Sequence, residues 1–529
     1  MVLLLNVYTI SAFVALGGVL YGFDVASMSD IMGTAHYRNY YGNPLGIRQG
    51  GITSSIAAGS FFGALSSSFL GDRLSRKVAI QLGTVMWFIG SSLQATSTGI
   101  PMLIIGRFVS GLCIGVISTL VPIYQSEIAP HKIRGRLVSF QQFAVALGIV
   151  IQYFIQFGCS FFHSNAVFRL PWAIQIVPAI FLFTGLFWLP RSPRWLASKD
   201  HWDEVLQVLA FLRTPNCDIN DPLVLAEYKE IEEQILFERE LELNSYRELF
   251  GTKMRRRLFL GMAIQAWSQL TGVNVFLYYI VYILRSAAFI PNNPNPSRTL
   301  SFAAIMYIVF MVATLPTILW TDQWGRRSSL LIGALGIAFW MYLIGGIFSR
   351  FGQPNPAQNQ PWTWVIIGHP AASHTIQASC YLAGASFALS WGAIEWIYPP
   401  EIFPLRIRAK AVSFSTATNW AVNFVIALLM PLLLRTISWR VFIIFGSFNI
   451  GAFIYVFFRV PETKQRTLEE MDEVFEHGEP VWRSFTGARY SGRLEALARD
   501  FEQGTIHIHR AVQVEMHDDV EGNGLRGIV

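Results

Sequence analysis

Two residues of this 529-residue chain stand out because of what surrounds them. Asp24 closes the stretch GGVLYGFD, and no charged side chain precedes it. Arg107 sits in the equally apolar IGRFVSGLCIG. A charge at mid-bilayer costs roughly 2.5–3.5 kcal/mol even on the mildest scale, so such a residue faces a protein interior and takes a partner or a proton. An Asp and an Arg at similar depth can switch with protonation, because neutralising the carboxyl releases the guanidinium. The plainer alternative leaves Asp24 solvated at the interface, near the end of its apolar run.

A second set is mostly amide. Gln141 and Gln142 open one apolar run, and QAWSQLTGVNVFLYY carries Gln265, Ser268, Gln269 and Asn274. WGAIEW carries Glu395 and Trp396, and Asn419, Trp420 and Asn423 follow. Primary amides both donate and accept, and an indole face stacks on the C–H face of a ring. Together they suit a neutral solute with several hydroxyls. The competing reading is hydrogen-bonded glue between helices. A third set lies in short turns: Asp72 with Arg76 and Lys77, Asp322 with Arg326 and Arg327, Glu127 with Arg134, and Glu401 with Arg408. On one rim they can form a salt-bridge latch; the competing reading is ordinary solvated loop charge. Cysteines 113, 159, 217 and 380 show neither metal-ligand spacing nor a disulfide framework. No metal, cofactor or catalytic residue is expected.

The elements that must position these residues follow from composition. Only 14% of residues are charged and 53% are hydrophobic, against about 25% charged in soluble proteins. This excludes a cytosolic enzyme, a disordered chain and a nucleic-acid binder, despite a net charge of +6. A spanning helix needs about 20 apolar residues. Twelve such runs lie near 5–25, 49–70, 78–98, 102–124, 137–158, 168–189, 257–284, 300–321, 328–348, 374–398, 411–434 and 439–459. They do not alternate as barrel strands would. The predicted class is an all-α polytopic membrane protein embedded in a lipid bilayer.

Lys and Arg set the orientation. The loops after runs 2, 4, 8 and 10 hold 11 of them, segment 190–257 another 11 and the tail from Arg459 nine, while the six opposite loops together hold eight. Both termini are therefore expected in the cytoplasm. Met1 to Asn6 has no basic residue, so the first run is expected to act as an uncleaved anchor rather than a signal peptide.

The chain also repeats. YQSEIAPHKIRGRLVSF at 124–140 matches YPPEIFPLRIRAKAVSF at 398–414, and DRLSRK at 72–77 matches DQWGRR at 322–327. The matches fall on charged and Pro positions. They predict two parallel six-helix halves, an architecture of secondary transporters. The expected organisation is an N-terminal half at 1–189, a cytoplasmic helical linker at 190–256, a C-terminal half at 257–459 and a cytoplasmic tail at 460–529. Within the linker, 222–250 has amphipathic helical spacing. The tail opens on an acidic helix-like stretch at 467–475 and loses periodicity beyond about 490, the pattern of disorder.

With GGVLYGFD, GRFVSG, PIYQSEIAPHKIRGR, SPRWL, QLTGVNVFLYY, DQWGRR, YPPEIFPLRIRAKA and VPETK, the chain resembles a fungal sugar porter of the major facilitator superfamily over about residues 10–475. The resemblance implies alternating access of the two halves around a central monosaccharide site. It assigns sugar contact to Gln142, Gln269, Asn274, Asn419 and Asn423, and ring contact to Trp396. It implies proton coupling at Asp24 with Arg107, since proton-coupled members carry an Asp there and facilitative animal members an Asn. A cytoplasmic gate would comprise Asp72, Arg76, Glu127, Arg134, Asp322, Arg326, Glu401 and Arg408.

Several positions depart from the family pattern. Ser268 stands where a Gln is expected, Phe310 where an Asn is expected, and Glu395 adds a carboxylate to a motif that has also lost a Pro. These three are candidates for specificity. Arg191 replaces an acid and Ser75 a Gly. The expected function is secondary active transport of a monosaccharide across the plasma membrane, with a proton as co-substrate. A uniporter, a porter of a disaccharide, polyol or quinate, and a non-transporting sugar receptor are the alternatives.

Overall fold

The computed structural model describes residues 6–464 except 33, 45, 241–248, 288–295 and 356–362, together with Phe475 and Arg499. The acidic stretch from 467 and the tail beyond 490 lie outside the described residues, apart from those last two.

Helices occupy all twelve expected positions. The first half comprises α1 (Val7–Val14), α2 (Leu16–Ile31), α3 (Ala35–Tyr40), α4 (Ile47–Leu74), α5 (Arg76–Ala95), α6 (Ile100–Ile128), α7 (Arg134–Cys159), α8 (Ala166–Ile174) and α9 (Ile176–Gly185). Then come three short helices, α10 (Pro193–Ser198), α11 (Trp202–Arg213) and α12 (Pro222–Glu240). The second half comprises α13 (Thr252–Leu270), α14 (Val273–Ala287), α15 (Pro296–Trp324), α16 (Arg326–Phe351), α17 (Pro370–Ala388), α18 (Trp391–Ile402), α19 (Leu405–Thr436) and α20 (Arg440–Arg459). A small antiparallel hairpin pairs Gly352–Pro354 with Trp364–Ile366. Among the described residues, ten helical stretches are long and apolar enough to cross a membrane. The two other expected spans, α4 and α17–α18, are helical but richer in Ser, Gly and other polar residues.

The composition of α4 has a packing reason. A Cβ on Gly59 would sit 2.0 Å from the Phe108 carbonyl oxygen, and one on Gly63 would sit 2.2 Å from that of Leu112. Reciprocally, Gly111 and Gly115 of α6 meet the carbonyls of Ile56 and Ser60. The backbones of α4 and α6 touch along small-xxx-small faces, the close packing that helices in lipid favour. Across the halves, α4 lies along α19, with Gly50 against the Leu428 carbonyl and the Ser413 hydroxyl donating to Ala64 O at 2.6 Å. Likewise α7 lies along α15: Gly135 meets Asp322 at one end, and the rings of Tyr153 and Tyr307 lie 5.2 Å apart towards the other.

Four expected spans differ from single helices: the sixth is interrupted at Gln175, and the breaks in the seventh and tenth lie beside candidate site residues. The first continues past 25 to Ile31 with an interruption at Ala15, so Asp24 lies inside it rather than at its edge. The seventh breaks between Leu270 and Val273, where Gly272 takes φ +81°. That left-handed geometry suits a residue without Cβ. The tenth breaks at Leu389 and Ser390, just before Glu395 and Trp396.

The short helices dock onto the first half. Arg213 donates to the Ile128 carbonyl at 2.8 Å while its Nε and Nη2 grip Glu227 at 2.6 and 2.7 Å. Trp195 Nε1 donates to Asp72 O at 3.2 Å.

Candidate functional site

Asp24 of α2 and Arg107 of α6 form an ion pair, Nη2 to Oδ2 at 3.2 Å, with side chains 1% and 0% exposed. Arg107 Nε donates to the Ile52 carbonyl of α4 at 3.0 Å, which fixes the guanidinium from behind. Asp24 Oδ1 and Arg107 Nη1 have no hydrogen-bond partner among the described residues. A buried pair of this kind holds only while both members are charged. Protonating the carboxyl removes the attraction and leaves the guanidinium seeking another acceptor.

The amides gather where α13–α14, α18 and α19 meet. Gln269 Nε2 donates to Asn419 Oδ1 at 3.1 Å, and Gln269 Oε1 accepts from Asn274 and, at 2.9 Å, from Asn423 Nδ2. Asn419 Nδ2 donates to Gln265 Oε1 at 2.6 Å and to Glu395 Oε2 at 3.3 Å. Ser268 Oγ also donates to Glu395 Oε2, and Gln265 Nε2 donates to the Glu395 backbone carbonyl at 2.7 Å. Gln142 comes from the opposite half: its Nε2 would lie 3.0 Å from a Cβ on Gly392, one turn before Trp396. All these side chains are buried. Trp396 Nε1 and Asn423 Oδ1 nevertheless find no partner among the described residues. The other half also reaches the cluster through Trp420, whose Nε1 donates to Ser118 Oγ at 3.1 Å and whose ring meets Tyr21 edge-on at 5.1 Å.

Phe310 stacks on Phe387 with centroids 6.3 Å apart, and Phe387 in turn touches the position of Gly392. Phe310 thus reaches the Gly392 side of the cluster through the Phe387 ring.

The duplicated turn motifs build two similar rims. In the first half Arg76 binds Asp72 and Glu127, both at 3.2 Å, and Ser192 donates to Glu127. In the second, Arg326 binds Asp322 at 2.9 Å and Glu401 at 2.7 Å, and Thr463 donates to Glu401 at 2.6 Å. Each glutamate thus pairs with the turn arginine of its own half. Arg134 and Arg408, the other expected members, are buried on the same rim, where Arg408 Nε donates to Phe403 O at 3.2 Å. Asp322 links this rim across the halves: its carboxylate accepts the backbone N–H of Gly135 at 3.1 Å and of Arg136 at 2.9 Å. These N–H groups lie in the first turn of α7, where a helix leaves donors unpaired and favours an anion. On the opposite face, Tyr307 donates to Ser29 Oγ and to Leu277 O, both at 3.1 Å. The halves thus touch on both sides of the amide cluster.

Sequence reasoning missed Asn449, which donates to Thr271 O at 3.0 Å and holds the break beside the amides. Its signal was a single amide in the apolar run of α20. Ser118 and Ser29 gave no signal, since serines are frequent in these helices.

Twelve helical spans in two related sets, closed around a buried polar centre, define a carrier of the major facilitator fold. A solved structure of the proton:xylose symporter XylE bound to 6-bromo-6-deoxy-D-glucose superposes with a TM-score of 0.75 at 24% identity, covering 89% of this chain and 99% of that one. The profile of the family described as sugar (and other) transporter matches residues 10–475. The chain belongs to that family, which is one of membrane transporters and not of enzymes. It is similar to the MFS glucose transporter mfs1 of Aspergillus flavus, 47% identical over 95% of both chains. It is also similar to the high-affinity glucose transporter of Kluyveromyces lactis, 39% identical over 90% of this chain and 87% of that one.

Proposed function

We propose that the protein carries a monosaccharide of the glucose type across the plasma membrane by alternating access, in symport with a proton. The observation that carries this reading is the buried amide cluster between the halves, with Trp396 Nε1 left as a donor and Asn423 Oδ1 as an acceptor. Buried polar atoms are nearly always hydrogen-bonded, and a hydroxyl can serve both kinds. Gln142, Gln269, Asn274, Asn419 and Asn423 bind hydroxyls, and Trp396 packs on the ring. The names of the fungal relatives support glucose. Asp24 takes the proton and releases Arg107. The rim residues close the cytoplasmic side, where both termini and the linker 190–256 lie, and the halves 1–189 and 257–459 rock about the centre. The segment 460–529 forms the tail.

Vesicles containing the purified protein test this with labelled glucose under an inward pH gradient. Accumulation above equilibrium that a protonophore abolishes is the expected result. Equilibration alone makes the protein a uniporter. No uptake across a panel of glucose, xylose, galactose, polyols and quinate overturns transport and leaves a receptor.

A further inference from the structure

We propose that Glu395 is a specificity-determining residue, whose Oε1 accepts a hydrogen bond from one particular hydroxyl of the substrate. The inference rests on the sugar reading above and deepens it. Glu395 is 4% exposed and lies in the amide cluster, next in sequence to Trp396. Its Oε2 is fully engaged by Ser268 and Asn419. Its Oε1 takes no hydrogen bond, and no cationic side chain is ion-paired to the carboxylate, among the described residues. Asp24 has Arg107 and the rim acids have Arg76 and Arg326. Glu395 alone of these carboxylates is held only by neutral donors.

Such a group is expensive to keep inside a membrane, and intramembrane carboxylates mark pathways and binding sites. The unmet atoms around it define what would enter. Asn423 Oδ1 is buried and needs a donor, Trp396 Nε1 needs an acceptor, and Glu395 Oε1 is open to a further donor. A cation would leave the indole unmet, and an anion would face the carboxylate. An uncharged polyhydroxy solute serves all three. Ser268 is the positioning residue. Its short side chain leaves room for the carboxylate, and its hydroxyl fixes Oε2 so that Oε1 points one way only. The two departures from the family pattern in this region therefore touch each other and act as one unit.

The test is competition by each monodeoxy and deoxyfluoro glucose against labelled glucose uptake in vesicles, for wild type, Glu395→Gln and Ser268→Ala. Wild type should reject the analogue altered at one position by about tenfold to a hundredfold, the range for leaving a buried acceptor unsatisfied. A fluorine there should not restore binding, since it cannot donate. Glu395→Gln should cut that one penalty by about tenfold, because an amide NH2 in the place of Oε1 cannot accept, and leave the ranking at other positions alone. Ser268→Ala should reduce the same penalty, whereas a merely structural role would weaken every analogue alike. A deoxy profile that is identical in wild type and both variants overturns the role of Glu395 while leaving sugar transport standing. No glucose uptake by wild type overturns both.

Discussion

The two halves arise from one repeat, yet each sets a carboxylate in the membrane interior in a different way. Asp24 of the first half faces a guanidinium and carries a full ion pair. Glu395 of the second half faces a hydroxyl and an amide. The rims differ too. Asp72 pairs with Arg76 and meets the other half through the charge of Lys410, whereas Asp322 crosses by hydrogen bonds that cap α7. The scaffold has kept the Arg-centred rim in both copies. In the proposed function the interior work is divided: one half holds the charge that responds to a proton, and the other holds the polar surface that recognises a solute. An ion pair is sensitive to charge and indifferent to solute shape. A carboxylate held by directional neutral donors is the reverse.

Four substitutions break or sharpen this contrast. Arg107→Leu strands the Asp24 carboxylate in a buried site, and removing one partner of a buried pair costs about 3–5 kcal/mol. A large drop in thermal stability in detergent is expected, recovered for the most part by adding Asp24→Asn. No recovery would mean that Arg107 serves packing rather than the pair. Asp24→Asn alone should remove proton-driven accumulation. One charge moved across 100 mV carries about 2.3 kcal/mol, or roughly fiftyfold in concentration, so the ratio should fall from that order to about one. Counterflow exchange should persist. If the variant still concentrates sugar, the division of labour drawn here is wrong.

Asp322→Asn weakens two charge-assisted bonds to α7 and should favour opening of that rim by about 1–2 kcal/mol. Asp72→Asn, which weakens only the attraction to Lys410 across the halves, should do less. Thiol labelling of a cysteine placed in the vestibule on the rim side reads both, and equal labelling would erase the asymmetry. Phe310→Asn should have the smallest effect. Its position behind Phe387 predicts a change in sugar affinity below about 1 kcal/mol, the worth of one net hydrogen bond. A larger narrowing of deoxy-sugar tolerance would place it in the site itself.

Much of this was legible in the sequence because lipid imposes strong composition. The apolar runs gave the spans, the charged repeats gave the relation of the halves, and isolated amides gave the cluster. What stayed hidden was long-range or conformational. Ser268 and Glu395 lie 127 residues apart, and no local pattern marks their contact. The first span was drawn too short because Ser27, Ser29 and Asp30 read as loop, although the helix continues through them. The breaks in the seventh and tenth spans depend on dihedral angles that hydropathy does not sense. Of these, only Thr271-Gly272 carried a turn residue that could have suggested one. The Asp322 cap could not be seen because α7 offers backbone N–H groups, which have no sequence signature.

The glycine seam between α4 and α6 bears on how this protein can evolve. Any mutation away from a glycine codon adds at least a Cβ, and at Gly59, Gly63, Gly111 and Gly115 that atom would fall 2.0–2.2 Å from a carbonyl oxygen. No conservative replacement exists, so drift at these four positions has no first step that keeps the two backbones in contact. The polar centre is different, because an amide can become a serine or a carboxylate and still bond to its neighbours. A library of variants selected for growth on sugar should therefore accumulate changes at 268 and 395 and almost none along the seam. New sugar preferences would arise in the second half, on a first half whose packing is locked.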